Sequence, residues 1–529
     1  MQQREIGLQK GVAKRQIYDK DTILNIGRVY DKEKMYGRKN IVINASVEDF
    51  LADPIGIIEE NLNYIISTHN VNISEMEYLK NYQKGNQDIL NKVRSNGDTK
   101  INNKHVTNYA WEFVNFKKGY YVGKPIKYVD VNEEETPDIK YFNRYNRNIN
   151  KASKDLIKYE NMLITGIAHT MTIPAKRKVD LEYESPYTYT ILDNNDVCVV
   201  KSNDIYRSKL FSMCISQIDD GEERYDLYTV YYDYKYLILK NNDGKLLTIE
   251  EGNMPVRDCI TEYQLNEQRM GVFEPVLNSL NSMNMISSNQ LDQLEERVNS
   301  YLTFENVDVS SLMSNIDDFR TKRVLAVNTT NPEAPAKIGV INMGSEESTI
   351  NDKYNKMEQR AYDIIGVPMP TSNTSQGVSG EAQVYGGGWE NAQTIASVDT
   401  QYIMQFEKED LEKFIYISKQ KSDTKTPNLF ASDIEIKYTI NKSNNMMVKA
   451  QSLKYFINEG FTREQALTYC EITDDPQNDG KLADENYLKN KQFEVDLELY
   501  KLEREKEIQN QYTIEQTEEQ VQEPNEEDI

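Results

Sequence analysis

Two long helical patterns that flank a short strand-like stretch constrain this chain more than any other feature. The first pattern covers residues 275–302, the second covers 348–365, and a glycine-rich segment follows the second. At 1.5 Å per residue, the first helix would be about 42 Å long. This order predicts a hairpin of two helical rods, with a small β cap at its tip and a mobile loop at its base. Such a shape suits one stave of a tube better than an enzyme with a pocket.

Each predicted rod has an apolar stripe at helical spacing, and Pro275 suits the first turn of the first rod. Gly366, followed by Val367 and Pro368, is typical of a helix end. We expect the stripes to pack against neighbouring rods. The side chains predicted to do so are Leu280, Leu291, Leu294, Val298, Ile350, Tyr354, Met357 and Ala361.

Three basic residues, Lys353, Lys356 and Arg360, fall within about 60° of one another on the second rod, beside its apolar stripe. Two interpretations remain open. Ion pairs, either within the helix or between subunits, would explain these residues without a further function. Alternatively, the same stripe repeated around a ring would produce rings of positive charge that face a lumen.

The segment 370–388 is polar and contains several glycines, which predicts a mobile loop. The glycines predicted to act as its hinges are Gly366, Gly377, Gly380, Gly386, Gly387 and Gly388. The last three lack the strand and helix that would frame a dinucleotide-binding motif, so a hinge is the better interpretation.

Composition limits the classes of function. The 529 residues are enough for two to four domains, and a net charge of -23 argues against a surface made to grip nucleic acid. It does not exclude a protein that DNA slides past. The four cysteines lie far apart without a CxxC pair, which favours a reducing cytoplasm and predicts neither a disulfide framework nor a zinc site. No apolar run approaches the roughly 20 residues of a membrane span, and the N-terminus lacks the apolar core of a secretory signal.

The remaining segments predict an α+β protein. Strand patterns fill residues 186–248, where Asn242, Asp243 and Gly244 form a hairpin signal. A further strand is predicted at 433–440, and a charged acidic tail from residue 514 is predicted to be disordered. The other predicted helices cover residues 47–62, 74–82, 105–121, 152–170, 389–418, 446–470 with a break at Gly460, and 484–509.

No motif in the chain predicts catalysis, a metal site or a cofactor. The stretch GYYVGKP at 119–125 has three residues between its glycines and a proline after the lysine, so it is not a phosphate loop and is better explained as a helix end followed by a turn. His69, His105 and His169 are widely separated and carry no local signature of a catalytic or metal site. The paired acids at 295–296 and 346–347 are better read as solvated faces.

Several short stretches, in this order along the chain, resemble one family. They are Asn108 and Tyr109 leading to GYYVGKP at 119–125, YTVYY at 228–232, MPV at 254–256, Asn266, GVFEP at 271–275, IGVP at 365–368 and SGEA at 379–382. The chain resembles the portal proteins of tailed double-stranded DNA bacteriophages, in the branch common among phages of low-GC Gram-positive hosts. The likeness covers roughly residues 45–510.

The resemblance implies a ring, usually of twelve subunits, at one vertex of the capsid, through which DNA is packaged and ejected. It implies an N-terminal arm (1–44), a wing (45–272 and 389–445), a stem (273–303 and 345–366), a clip (304–344), a tunnel loop (367–388), a crown (446–512) and an acidic tail (513–529). The residues expected to face DNA are Lys353, Lys356, Arg360, Ser375, Gln376, Ser379 and Glu381. Expected partners are the terminase motor, the major capsid or scaffolding protein and a head-completion adaptor, in a virion assembled in the host cytoplasm.

Two other classes remain open from the residues alone. A packaging nuclease or ATPase would need a carboxylate cluster or a phosphate loop, and neither motif is visible. Another virion component, such as a tail or capsid protein, would usually be dominated by strands.

Overall fold

The chain divides into two compact units, residues 1–441 and 442–529. The computed structural model describes residues 37–93, 101–131, 136–175, 185–219, 224–242, 245–298, 302–306, 330–331, 333–335, 337–340, 347–369, 388–420, 424–426, 428–440, 446–470, 472–473 and 476–519. Helices and sheets are mixed in the first unit, which confirms the predicted α+β class.

The described helices of the first unit are α1 (Val47–Ala52), α2 (Pro54–Gln83), α3 (Tyr109–Val122), α4 (Pro137–Asn148), α5 (Lys151–Thr165), α6 (Leu277–Val298), α7 (Glu347–Ile365) and α8 (Trp389–Gln420). Its described strands are β1 (Ile41–Ile43), β2 (Lys127–Asp130), β3 (Ile167–Pro174), β4 (Tyr187–Leu192), β5 (Val197–Ser202), β6 (Lys209–Asp219), β7 (Arg224–Tyr232), β8 (Lys235–Asn242), β9 (Lys245–Asn253), β10 (Ile260–Gln264), β11 (Leu302–Glu305), β12 (Lys337–Val340) and β13 (Ile434–Lys437).

A six-stranded sheet in the order β1-β5-β6-β7-β8-β9 forms the larger β layer. Its pairs are antiparallel except for β1 with β5, and Asn242 pairs with Lys245, which confirms the predicted hairpin. Alternate side chains of β7, including Tyr228 and Val230, are buried on one face, as the period of two requires. Helices α1 and α2 cover that face, where Phe50 stacks on Phe211 with ring centroids 4.9 Å apart.

A second sheet, in the order β10-β3-β4, packs against α8. Phe414 of α8 stacks on Tyr187 of β4 with centroids 4.5 Å apart. The largest apolar cluster lies elsewhere in the unit and joins α3, α5, the start of α6, the end of α7 and the start of α8. This cluster positions the helical hairpin.

Three helix predictions in the first unit differ from the structure, and one of them is the helix predicted at 105–121, which begins only at Tyr109. The sequence predicts separate helices at 47–62 and 74–82, but α2 runs unbroken from Pro54 to Gln83. Its polar middle stays helical because buried polar side chains find partners: His69 Nε2 lies 2.8 Å from the Asn195 carbonyl, and Asn72 Oδ1 accepts from the Lys39 amide at 2.8 Å. The helix predicted at 152–170 ends at Thr165, because Gly166 has a φ of 83° and β3 follows.

The last residues of the predicted N-terminal arm belong to the folded unit. Strand β1 pairs with β5, and Arg38 is buried with its Nη2 2.6 Å from Glu274 Oε1. The other oxygen of Glu274 accepts from the Gly271 amide at 3.0 Å. This segment is therefore tied to the residues that lead into α6, while residues 1–36 lie outside the described part of the chain.

The second unit is helical over its described residues, with α9 (Met446–Asn458), α10 (Arg463–Cys470) and α11 (Pro476–Glu519). The predicted break at Gly460 is confirmed, since this residue has a φ of 92° between α9 and α10. Helix α11 extends to Glu519, so residues 514–519, where the sequence predicts disorder, are helical. Glutamate and glutamine dominate this stretch, and both favour the helix intrinsically. Residues 520–529 lie outside the description.

Candidate functional site

The predicted hairpin is present in the described residues. Helix α6 starts at Leu277, after a 3-10 turn over Glu274–Val276, and runs for about 33 Å at 1.5 Å per residue. It is followed by β11, which pairs antiparallel with β12 ahead of α7. The strand-like stretch between the two helical patterns also includes residues 323–327, and these lie outside the described residues.

The base of the hairpin is held by apolar packing. Leu280 of α6 and Ala361 of α7, both predicted packing residues, are buried in the largest apolar cluster together with Met283 and Ile365. The predicted packing residues Tyr354 and Met357 are half-buried against the same cluster. Both rods are thus rooted in the core of the first unit by one end.

Further along α6, the predicted apolar stripe points away from the core. In the single chain Leu291 is 39% exposed and Leu294 is 59% exposed, so the packing predicted for both against a neighbouring rod stays a prediction. They line a groove of about 390 Å³ with Ile350 of α7 and His105. The predicted residue Val298 ends the helix.

The inner face of α6 is polar from Asn281 onward apart from Met283, which explains why the two leucines face outward. We call its buried side chains the polar ladder: Asn281, Asn284, Ser288 and Asp292. They recur at steps of three and four, so they lie on one face of the helix. Buried polar side chains require hydrogen-bond partners.

Tyr82 and Asp88 bond Asn281, and residues 101–107, which we call the strap, supply partners for the other three. The backbone amides of Asn103, His105 and Thr107 donate to Asp292 Oδ1 at 2.6 Å, Ser288 Oγ at 2.9 Å and Asn284 Oδ1 at 2.9 Å. Every second residue of the strap therefore meets every fourth residue of the helix. The two spacings match, because two extended residues span about 6.6 Å and four helical residues rise about 6 Å.

Asp292 also closes the outer end of the ladder through a buried ion pair. Its Oδ2 lies 2.7 Å from Lys92 Nζ, and Asn103 Nδ2 donates to its Oδ1 at 3.0 Å. Burial alone would raise the pKa of this carboxyl, but the bonds from Lys92 and Asn103 outweigh burial and hold the pKa of Asp292 below its usual range. The outer half of α6 is thus attached by polar bonds rather than by apolar packing.

Helix α7 contacts the rest of the first unit through one of its faces. The Tyr109 hydroxyl of α3 donates to Glu358 Oε1 at 2.7 Å, and the Tyr362 hydroxyl donates to Glu112 Oε1 at 2.7 Å. Burial raises the pKa of the Tyr109 hydroxyl well above its ordinary value, so it stays a donor at neutral pH. The Tyr362 ring also meets Phe113 edge to face, with centroids 5.0 Å apart. These contacts fix the rotation of α7 about its axis.

The predicted basic stripe lies on the exposed side of α7. Lys353, Lys356 and Arg360 lie about 110°, 170° and 130° around the helix from the mean direction of the side chains that pack. Within the described part of the chain, none of the three pairs with a carboxylate. The structure brings these three residues together on one exposed surface.

The two ends of the glycine-rich segment lie side by side. Gly366 has a φ of 69° and follows α7, and Gly388 has a φ of 82° and precedes α8. A Cβ on Gly388 would lie 3.7 Å from Pro368 Cα. The two ends of the segment therefore lie close together. The predicted site residues Ser375, Gln376, Gly377, Ser379, Gly380, Glu381, Gly386 and Gly387 lie outside the described residues.

The helix that follows the segment is anchored by a buried ionic cluster. Glu407 of α8 accepts from Lys158 Nζ at 2.7 Å, from the Tyr128 hydroxyl at 2.7 Å and from the Tyr263 hydroxyl at 2.9 Å. A second cation, Lys151, also contacts this carboxylate. Burial opposes the charged form, but the two lysines hold the pKa of Glu407 far below its usual range. Helix α8 is thus a rigid support for the C-terminal end of the segment.

Among the described residues, no group of His, Cys, Asp and Glu side chains is arranged to hold a metal ion. In the same residues, no helix is long and apolar enough to cross a membrane.

Sequence reasoning did not identify the strap, the polar ladder or Lys92. One signal was available for the ladder, since Asn281, Asn284, Ser288 and Asp292 form a polar stripe at helical spacing. Nothing in the strap itself predicts its partner.

Comparison with known proteins identifies the class. A family model described as "Phage portal protein, SPP1 Gp6-like" matches residues 62–511. The chain therefore belongs to this family of phage portal proteins, which are structural components of the virion, and the resemblance seen in the short motifs is confirmed.

Solved structures give weaker likenesses. One, titled "Neck of empty GTA particle computed with C6 symmetry", has 9% identity and a TM-score of 0.40, with 75% of this chain and 94% of that chain covered. Another, titled "Virion of native gene transfer agent (GTA) particle", has 11% identity and a TM-score of 0.37, with 69% and 89% covered. Both scores are below the level at which a shared fold can be argued. No curated protein matches the chain.

Proposed function

We propose that copies of this chain close into a ring of about twelve subunits at one capsid vertex, and that DNA passes through the ring during packaging and ejection. The observation that supports this most is the division of α7 into one face that packs and one that is exposed. One face is bonded to α3 through Glu358 and Tyr362, and the other presents Lys353, Lys356 and Arg360 to solvent.

In the ring, the basic face of α7 lines the lumen. DNA carries one charge per about 1.7 Å of its axis, so a channel that was basic throughout would hold DNA rather than conduct it. Three basic positions on a chain of net charge -23 give narrow positive bands in an otherwise acidic tunnel. Contact with passing DNA is then brief and independent of base sequence.

Neighbouring subunits meet at the outward face of α6. Leu291 and Leu294, with Ile350 across the groove, are too exposed to stabilise a single chain. Subunits in a ring of this kind contact each other head to tail, so one surface of each copy covers a different surface of the next. The groove is one of these two surfaces.

The segment 367–388 acts as a tunnel loop that projects toward DNA. Its two adjacent ends and its glycines allow the loop to move while α7 and α8 stay fixed. Ser375, Gln376, Ser379 and Glu381 provide polar contacts, and Gly366, Gly377, Gly380, Gly386, Gly387 and Gly388 serve as hinges.

The remaining parts follow the portal plan. The wing comprises 45–272 and 389–445, the stem 273–303 and 345–366, the clip 304–344, and the crown 446–512. In the clip, β11 and β12 form a two-stranded sheet among the described residues, and the outer edges of this sheet can add strands from other chains and dock head-completion proteins. Capsid or scaffolding protein surrounds the ring, and a separate terminase motor supplies the work of packaging.

Light scattering after size-exclusion chromatography tests the ring and its interface. The wild-type chain is expected to elute as a particle of several hundred kilodaltons, roughly twelve times the subunit mass. Leu294→Glu places a charge in the interface and should shift most of the protein to smaller species. Ile249→Glu, at an exposed position on β9, is the matched control and should leave the particle intact. A wild-type chain that stays monomeric at high concentration would contradict the proposal.

A further inference from the structure

Helix α11 exposes an unusual amount of apolar surface. Every side chain from residue 484 to residue 510 is exposed in the isolated chain. The large apolar ones on this stretch are Tyr487, Leu488, Phe493, Val495, Leu497, Leu499, Tyr500, Leu502 and Ile508. In the described part of the unit, Arg463 holds the first turns of α11, since it bonds the Ala483 carbonyl at 2.7 Å and lies 3.2 Å from Asp484. A long helix with this composition requires a partner beyond its own unit.

Most of the apolar side chains fall on two stripes. At 100° per residue, Leu488, Val495, Leu499 and Leu502 lie within about 60° of one another and form the first stripe. Phe493, Leu497, Tyr500 and Ile508 lie within about 80° and form the second stripe. The centres of the two stripes are about 170° apart around the helix axis.

Opposite stripes indicate two partners on opposite sides of the helix. In a closed ring of about twelve parallel helices, the two neighbours of each helix lie about 150° apart around its axis. The corresponding angle is about 90° in a four-helix bundle and about 60° in a three-helix bundle. A helical dimer needs only one stripe. The arrangement on α11 matches a large ring and neither of the small bundles.

Charge distinguishes the two sides as well. The half of the helix around the first stripe is mostly acidic, with Asp484, Glu485, Asp496, Glu498, Glu503 and Glu505 against Lys491 and Lys506. The half around the second stripe is mildly basic, with Lys489, Lys501 and Arg504 against Glu494 and Glu507. If the first stripe of one copy packs on the second stripe of the next, opposite charges therefore meet. If two first stripes pack on each other, acidic side chains face acidic side chains.

We propose that α11 packs through its first stripe on the second stripe of the same helix in the next copy, so that these helices form a closed cylinder of their own. This inference rests on the proposed function, because a head-to-tail helix contact closes only if the subunits form a ring. The partner on both sides is a second copy of this chain, and no other protein is needed to cover the helix.

Cysteine cross-linking in the full chain tests the contact. Leu499 lies on the first stripe and Leu497 on the second, at nearly the same height along the helix. The double variant Leu499→Cys/Leu497→Cys, treated with a short bis-maleimide, should give a ladder of covalent oligomers that extends beyond the dimer on a denaturing gel. Each single variant should stay monomeric on the gel, because its cysteines face a leucine in the neighbour. The wild type is the blank, since its four cysteines are buried or half-buried.

Each outcome decides the proposal when light scattering is measured on the same samples. Rings that form without a ladder in the double variant would overturn the helix contact and leave the proposed function standing. Cross-linked dimers of the single variant Leu499→Cys would indicate that two first stripes pack on each other, and would also overturn the helix contact. Monomers in solution would remove both proposals. A second pair, Val495→Cys/Phe493→Cys, repeats the test one turn earlier and should give the same ladder.

Discussion

Asp292 and Lys92 form a buried ion pair across 200 residues of sequence, with 2.7 Å between carboxylate and ammonium and about 5% of each side chain exposed. The pair closes the outer end of the polar ladder, where the strap also donates two bonds from Asn103. A helix held this way depends on a few specific bonds rather than on a broad apolar contact. The position of the outer half of α6 should therefore be sensitive to single substitutions here.

Asp292→Asn should destabilise the folded chain by about 3–5 kcal/mol, because it leaves the Lys92 ammonium buried without its counter-charge. Chemical unfolding measures this change, and hydrogen exchange should show faster exchange of the Asn103, His105 and Thr107 amides. Asp352→Asn, at an exposed position on α7, is the control and should change the free energy of unfolding by less than about 0.5 kcal/mol. Equal effects from the two variants would contradict the role of the ladder.

The same pair predicts a pH dependence. The pKa of Asp292 is lower in the folded chain than in the unfolded chain, so its stabilising contribution is complete above the unfolded value of about 3.9. The contribution is lost as the pH falls through the lower folded pKa. Between pH 5 and pH 3, the wild type should therefore lose more stability than Asp292→Asn, as followed by urea unfolding. Parallel pH profiles for the two proteins would show that the carboxylate is not coupled to folding.

Gly366→Ala should lower the melting temperature, because Gly366 has a φ of 69° and an added Cβ would lie 2.3 Å from Ile395 Cδ1. The expected cost is about 1–3 kcal/mol. Gly119→Ala in α3 is the control, and it should raise the melting temperature. No atom lies within 4 Å of an added Cβ at this position, and alanine should stabilise the helix by about 0.5–1 kcal/mol. If both variants shifted the melting temperature in the same direction, the left-handed junction at the base of the loop would not matter for stability.

Reversing the charges of Lys353, Lys356 and Arg360 to glutamate should leave ring formation unchanged and reduce the number of DNA-filled heads. The physical reason is repulsion between the altered lumen and the phosphates. A packaging assay with the reconstituted motor and capsid measures the effect, and light scattering verifies the rings. The control reverses three exposed basic residues of the large sheet region, Lys235, Lys245 and Arg257. Normal packaging by the α7 variant would exclude a lumen-facing stripe.

Much of the local structure could be predicted because its determinants lie close together in sequence. The two hairpin helices, the turn between β8 and β9, and the break at Gly460 each depend on a periodic stripe or a turn residue within a few positions. The continuity of α2 could not be predicted, since its polar middle is stabilised by contacts of His69 and Asn72 with distant segments.

The attachment of α6 was also beyond sequence reasoning. Leu291 and Leu294 have the spacing of core residues, but periodicity does not say whether the partner is the same chain or another one. The strap binds α6 through its backbone amides, and backbone groups carry no sequence signature. Of the candidate site, the placement of Lys353, Lys356 and Arg360 on one face of α7 could be predicted from helical spacing. Whether they form ion pairs, and which surface fixes the orientation of α7, could not.

Negative-stain images of the purified wild-type protein, viewed end-on, test the central claim most directly. The account predicts closed annular particles of uniform subunit number, with a central channel wide enough for double-stranded DNA. Images that contain only monomers, or open filaments without a channel, would contradict it.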